Sequence, residues 1–199
     1  MSHLSEVSAG FADPVHDAQT AFRAVLDALS RPGRPFAIGQ PVPGLALGPA
    51  MAHALLALTD GDTAVWWQQA DPAAASWLRF HTGASLAATP ECAAFAVLDS
   101  VAGLPPLTAF SAGSAQAPER SATLLVKVAS LDAGPAVEWR GPGIQGAQTV
   151  RLAGLPDDFW AQWQANQAAF PQGVDIVFIC AGRALGLPRT TRARRLEEI

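Results

Sequence analysis

Val174-Asp175-Ile176-Val177-Phe178-Ile179, within the stretch FPQGVDIVFI from Phe170 to Ile179, is apolar and β-branched over nearly its whole length. Such a run suits a strand buried on both faces of a central sheet, because a half-exposed strand alternates apolar with polar positions. Just upstream, Pro156 opens a helix that runs through Trp160, Trp163 and Gln167, with Asp157 and Asp158 near its positive end. Helices that alternate with buried strands are the signature of an α/β fold.

The same order recurs toward the N-terminus. Asp13 followed by Pro14 is an N-cap with proline at the first helical position, and Val15, Ala18, Phe22, Val25, Leu26 and Leu29 then recur at helical spacing. This helix is expected to end near Ser30, before Arg31-Pro32-Gly33, with Arg34 to Ile38 extended. Gln40 to Pro49, dense in Pro and Gly, reads as an irregular connection. A second helix is expected over Pro49 to Leu58, a strand over Thr63 to Trp67, a third helix from the Asp71-Pro72 cap through Phe80, and a strand over Phe95 to Leu98. Gly113 to Arg120 reads as a mobile loop. Ser121 to Val128 and Ala136 to Arg140 read as strands that pair through an Asp132-Ala133-Gly134 turn, and Thr149 to Leu152 as a further short strand. The expected architecture is one domain over residues 1–199, a three-layer α/β/α sandwich with a mixed sheet and helices on both faces. Residues 1–10 and 193–199 are expected to be flexible.

Half of the 199 residues are hydrophobic, enough to bury a substantial core. The formal net charge is −4 and no basic field covers the chain, which argues against a nucleic-acid partner. The longest apolar stretch, Leu45 to Leu58, is interrupted by Gly48, Pro49 and His53 and is too short to span a bilayer, and Met1 to Phe11 has no basic start or apolar core of an export signal. Only 15% of residues are charged, while six Trp and nine Phe are present, so stable association with partners is expected. Cys92 and Cys180 are isolated from each other and lack the spacing of zinc or iron-sulfur ligands. Cys180 reads as a buried thiol, a Cys92–Cys180 disulfide is the less favoured alternative, and the location as cytoplasmic.

No residue set announces a catalytic centre. His3, His16, His53 and His81 form no metal-binding pair. Lys127 is the chain's single lysine, so any pyridoxal phosphate Schiff base would rest on it, but alternation in Leu124 to Val128 places it on the solvent side of a strand and favours a structural role. Gly141-Pro142-Gly143-Ile144 could cradle phosphate with its amides, although a tight connection between strands is the simpler reading. The C-terminal segment holds Arg183, Arg189, Arg192, Arg194 and Arg195, with Thr190 and Thr191 among them. Planar guanidinium forks match phosphate or phosphonate oxygens, and threonine hydroxyls donate to the same anion. Arg31, Arg189, Thr190, Thr191 and Arg192 are therefore candidates for an anion site or, equally, for an inter-subunit interface, and Arg34 could join them.

Four segments, GFADPVHDAQTAFRAVLDALSRPG at 10–33, GPGI at 141–144, FPQGVDIVFI at 170–179 and LPRTTR at 187–192, together resemble the PhnH family of the bacterial carbon-phosphorus lyase. Ala193, Arg194 and Arg195 depart from the β-branched continuation expected after them. The resemblance implies a subunit of the lyase core complex, whose members jointly couple a phosphonate to the ribose of ATP with release of adenine. Other core subunits are then the partners, with a homodimer when isolated. ATP is a substrate of the complex, and no cofactor is expected to be bound by this chain alone. The family fold resembles a shortened pyridoxal-phosphate-dependent transferase domain that does not use that cofactor. The alternatives are an independent transferase with pyridoxal phosphate on Lys127, or a ligand-free dimerisation module.

Overall fold

A computed structural model describes residues 8–39, 45, 47–69 and 71–196. Residues 1–7 and 197–199, His3 and most of the Gln40–Pro49 connection lie outside the described residues. The first helix, α1 (Pro14–Ser30), starts where its sequence dictates: Oδ1 of Asp13 accepts from the amides of Val15 at 3.2 Å and His16 at 3.0 Å, two donors that the first turn cannot satisfy internally. Asp13→Ala should therefore lower stability by about 0.5–2 kcal/mol in urea unfolding while partner binding persists. A stable variant that lost its partners would make Asp13 a contact residue instead.

Helices α2 (Pro49–Leu58), α3 (Pro72–Thr82) and α4 (Phe159–Ala168) follow in the expected places. Seven strands, β1 (Phe36–Ala37), β2 (Ala64–Trp67), β3 (Ser85–Leu86), β4 (Phe95–Leu98), β5 (Thr123–Lys127), β8 (Asp175–Cys180) and β9 (Arg183–Leu187), form one sheet in the order β1-β9-β8-β5-β4-β2-β3. The five strands from β8 to β3 run parallel, whereas β9 and β1 join antiparallel, so the sheet is mixed. β8, the apolar β-branched run expected to be a central strand, is paired on both edges, and Ile176, Val177 and Phe178 are fully buried.

The two faces are covered differently. Leu125, Val177, Ile179 and Ala184 pack with α1, α2 and α3. Leu124, Val126, Ile176, Phe178 and Leu187 point the other way, toward Phe159, Trp160 and Trp163 of α4 and toward a second sheet. That sheet is antiparallel and comprises β6 (Ala136–Arg140), β7 (Gln148–Arg151) and β10 (Arg192–Arg195) in the order β10-β6-β7. The expected pairing of Ser121–Val128 with Ala136–Arg140 is therefore corrected. β5 carries β4 on one edge and β8 on the other and has no free edge for β6. Asp132-Ala133-Gly134 instead carries the chain from one sheet to the next, and Asp132 forms an ion pair with Arg183 at the start of β9.

Residues 193–195, expected to be flexible, form most of β10, and the amide of Leu196 donates to the Ala136 carbonyl at 2.9 Å. Ala193 turns inward beside Trp139, which supplies the apolar anchor that the arginines around it lack. Ser8 is also held, its carbonyl accepting from Trp77 Nε1 at 3.0 Å. The Gly113–Arg120 loop ends in a short 3-10 turn at Pro118–Arg120. Gly186 on β9 lies directly under α1, where a Cβ would overlap the backbone of Ala28, so glycine sets how closely the helix approaches the sheet.

Candidate functional site

Parallel strands deliver their carboxyl ends to one edge of a sheet, which is where α/β proteins place ligand crevices. Here that edge borders a cavity of about 520 Å³. Asp99 follows β4, Lys127 ends β5, Cys180 ends β8, and Ala181 and Gly182 follow it, while Gly48, Pro49 and Met51 of the α2 start and Asp71 also line the cavity. Alternation along β5 sends Lys127 to the same face as Leu125, toward α2.

Lys127 is exposed and forms no ion pair among the described residues. Oδ1 of Asp99 is buried without a hydrogen-bond partner among the described residues, a cost normally relieved by a ligand or solvent. Asp71 is engaged, since its Oδ1 caps α3 through the amides of Ala73 and Ala74. The α2 N-cap is Gly48, which offers no side chain to the first-turn amides. Ala181 has φ +46°, the one non-glycine residue in the left-handed region among those described, so the chain holds a strained backbone at the cavity wall. Cys180 is half-buried rather than fully buried, its thiol donating to the Ala129 carbonyl at 3.5 Å, and both it and exposed Cys92 are free thiols.

Pyridoxal phosphate requires more than an amine and a carboxylate. No arginine, serine, threonine or aromatic ring is among the described residues lining this cavity, so its phosphate and ring would lack side-chain support. The residues present do not fit that cofactor. Nor do three or more His, Cys, Asp or Glu side chains gather around a metal position among the described residues. His53 is buried against Phe11, and desolvation pushes its pKa below the ordinary imidazole value, with Asp17 opposing.

The C-terminal candidates separate in space. Arg189 is half-buried and spent within the chain: its guanidinium pairs with Asp175, bonds Ser121 Oγ, and donates to the carbonyls of Pro118 at 2.9 Å and Pro171 at 3.3 Å. Thr191 is fully buried, with its carbonyl accepting from Trp163 Nε1 at 2.9 Å and its hydroxyl without a partner among the described residues. Thr190 and Arg192 line a second cavity with Arg140, Gly141, Pro142, Gln167 and Phe170. Arg31 does not line it; it caps α1, pairs with Asp27 at 3.4 Å and lies 5.9 Å from the Phe36 ring. The GPGI segment is the connection from β6 to β7, closed by the Ile144 amide on the Gly141 carbonyl at 3.1 Å.

Asp99 and Arg140 escaped the sequence reading. A carboxylate directly after the apolar strand Phe95–Leu98 was the available signal for the first. Arg140 had none, because its relation to Arg192 exists only through strand register.

Comparison with known proteins extends over nearly all of this framework. A family model described as Bacterial phosphonate metabolism protein (PhnH) matches residues 9–194. Alpha-D-ribose 1-methylphosphonate 5-triphosphate synthase subunit PhnH of Rhizobium meliloti (strain 1021) is 39% identical over 202 residues, covering 98% of this chain and 100% of that protein. HtxG of Stutzerimonas stutzeri, by its name a candidate C-P lyase subunit, is 34% identical over 177 residues, covering 87% of this chain and 84% of its own length. The chain thus belongs to the PhnH family of bacterial phosphonate metabolism proteins.

Proposed function

We propose that the chain works as a scaffold or co-catalytic subunit of a carbon-phosphorus lyase core complex, in which partner subunits and ATP couple a phosphonate to ribose with release of adenine. The observation that carries this reading is full-length similarity to a protein named as a synthase subunit. Surface composition supports it: Val15, Phe22 and Leu26 of α1 are 70%, 50% and 53% exposed, an apolar stripe of the sort that association covers. In this reading the chain is cytoplasmic, dimerises when isolated, takes no pyridoxal phosphate, and has a shortened form of the transferase sandwich in which α4 and the second sheet form the third layer. Among the described residues no helix is long and apolar enough to cross a membrane.

Affinity purification from cells starved of phosphate and supplied with a phosphonate tests the assembly. Partner subunits should co-elute in fixed stoichiometry, and sedimentation should show a species larger than the monomer. A species that sediments only as a monomer, both by itself and mixed with those partner subunits, rejects the reading. Borohydride treatment checks the cofactor separately: a stable reduced adduct on Lys127 would establish the independent transferase.

A further inference from the structure

The outer face of the second sheet carries an unusual juxtaposition. In the antiparallel β6–β10 pair, Arg140 stands directly opposite Arg192, and Glu138 directly opposite Arg194. Trp139 and Ala193 between them turn inward, so all four charged side chains share the outer face. Directly opposed residues in such a ladder hold their Cβ atoms about 4.5–5.5 Å apart, and like charges there repel.

One carboxylate serves two of the three guanidinium groups. Glu138 accepts from Arg140 through Nε at 3.0 Å and Nη2 at 3.2 Å, and from Arg194 at 3.4 Å. These bonds, with Arg140 the larger influence, hold the Glu138 carboxyl below its ordinary pKa, so it stays ionised and fully engaged. Arg192 has no ion-pair partner among the described residues, and Nη1 of Arg140 donates to none of them. Three arginines against one carboxylate leave this face with two net positive charges, and Arg192 stands beside Arg140 without an acidic partner among the described residues.

Both arginines border the cavity of about 320 Å³ that also presents Thr190 and Gln167 and is walled by Phe170, 57% exposed. Gly141, at φ +148°, allows the β6–β7 connection to approach the Thr190 carbonyl, where a Cβ would lie only 3.0 Å away. The turn and the arginine pair are thus locked against one another rather than left as a solvated tail.

The geometry points to a site for a tetrahedral dianion, a phosphonate or phosphate monoester, gripped between Arg140 and Arg192 with Thr190 and Gln167 as further donors and Phe170 against its organic substituent. The Arg192 fork can take two of the three anion oxygens and the free Nη1 of Arg140 the third, which offsets the repulsion that the register imposes. The site uses only two of the residues singled out in the sequence, Thr190 and Arg192. It is separate from the cavity at the strand ends, and it does not depend on membership in the complex.

Titration calorimetry of the isolated chain with phenylphosphonate, and separately with inorganic phosphate, tests this. Both probes should bind saturably, and phenylphosphonate more tightly because it alone reaches Phe170; Phe170→Ala should erase that preference. Arg192→Ala should weaken both about ten- to a hundredfold, and Arg192→Lys should restore little. Arg140→Ala should act similarly, with circular dichroism verifying the fold. Because Arg192 is exposed and pairs with none of the described residues, its variant keeps the test valid should Arg140→Ala fold poorly. Absence of saturable binding, or equal binding by wild type and the double Arg140→Ala/Arg192→Ala variant, overturns the proposal. Unchanged probe binding by Arg192→Ala together with lost subunit association also overturns it, in favour of an acidic protein surface.

Discussion

Arg189→Ala should lower the free energy of unfolding by about 3 kcal/mol, because it removes one member of a largely buried ion pair and strands the other. The side chains of Arg189 and Asp175 are only 13% and 20% exposed. Without the guanidinium, Asp175 would keep the Arg189 amide, which donates to Oδ1 at 2.7 Å, but would lose its neutralising charge. The same substitution frees the Pro118 and Pro171 carbonyls and Ser121, so the starts of β5 and β8 lose a common tie. Lysine should rescue poorly, since one ammonium cannot span these acceptors. Urea unfolding measures the loss. In a double-mutant cycle, Arg189→Ala with Asp175→Ala should cost less than the sum of the two alone. A loss below about 1 kcal/mol would mean that the pair does not form in solution, and Arg189 would return as an anion candidate.

Trp163→Ala should be comparably damaging, at about 3–5 kcal/mol for a large aromatic removed from a core. Trp163 is fully buried on α4, among the side chains that join the second sheet to the first. Its Nε1 also satisfies the carbonyl of buried Thr191, at the turn from β9 into β10. Trp163→Phe separates the two contributions: it retains most of the volume but leaves that carbonyl unpaired, for a loss of about 1–3 kcal/mol. Thermal and urea unfolding of both variants provide the comparison. If alanine cost no more than phenylalanine, α4 would not be packed as described.

Periodicity located elements well where local chemistry was strong. The Asp13-Pro14 and Asp71-Pro72 caps opened helices at the expected residues, and Phe95–Leu98 and Ala136–Arg140 formed strands with the expected bounds. Pairing was another matter. Nothing local in Ser121–Val128 told that both its edges would be taken by strands 25 or more residues away, leaving Ala136–Arg140 to found a second sheet. The arginines part for a similar reason, since Arg189 and Arg192 differ by three positions yet one faces Asp175 and the other solvent.

The sequence by itself determined the α/β class, the helix starts, the buried strand at Val174–Ile179, the single lysine and the family resemblance, because each depends on residue identity, short-range spacing or segment order. Only the tertiary structure decided that Lys127 and Asp99 meet at one cavity, that Arg189 is spent on Asp175, and that Arg140 stands opposite Arg192. These relations follow from strand order and register. A shift of one residue in the β6–β10 register would reverse which side chains face solvent, and that register is held by Trp139 and Ala193 packing inward rather than by the charged residues it brings together.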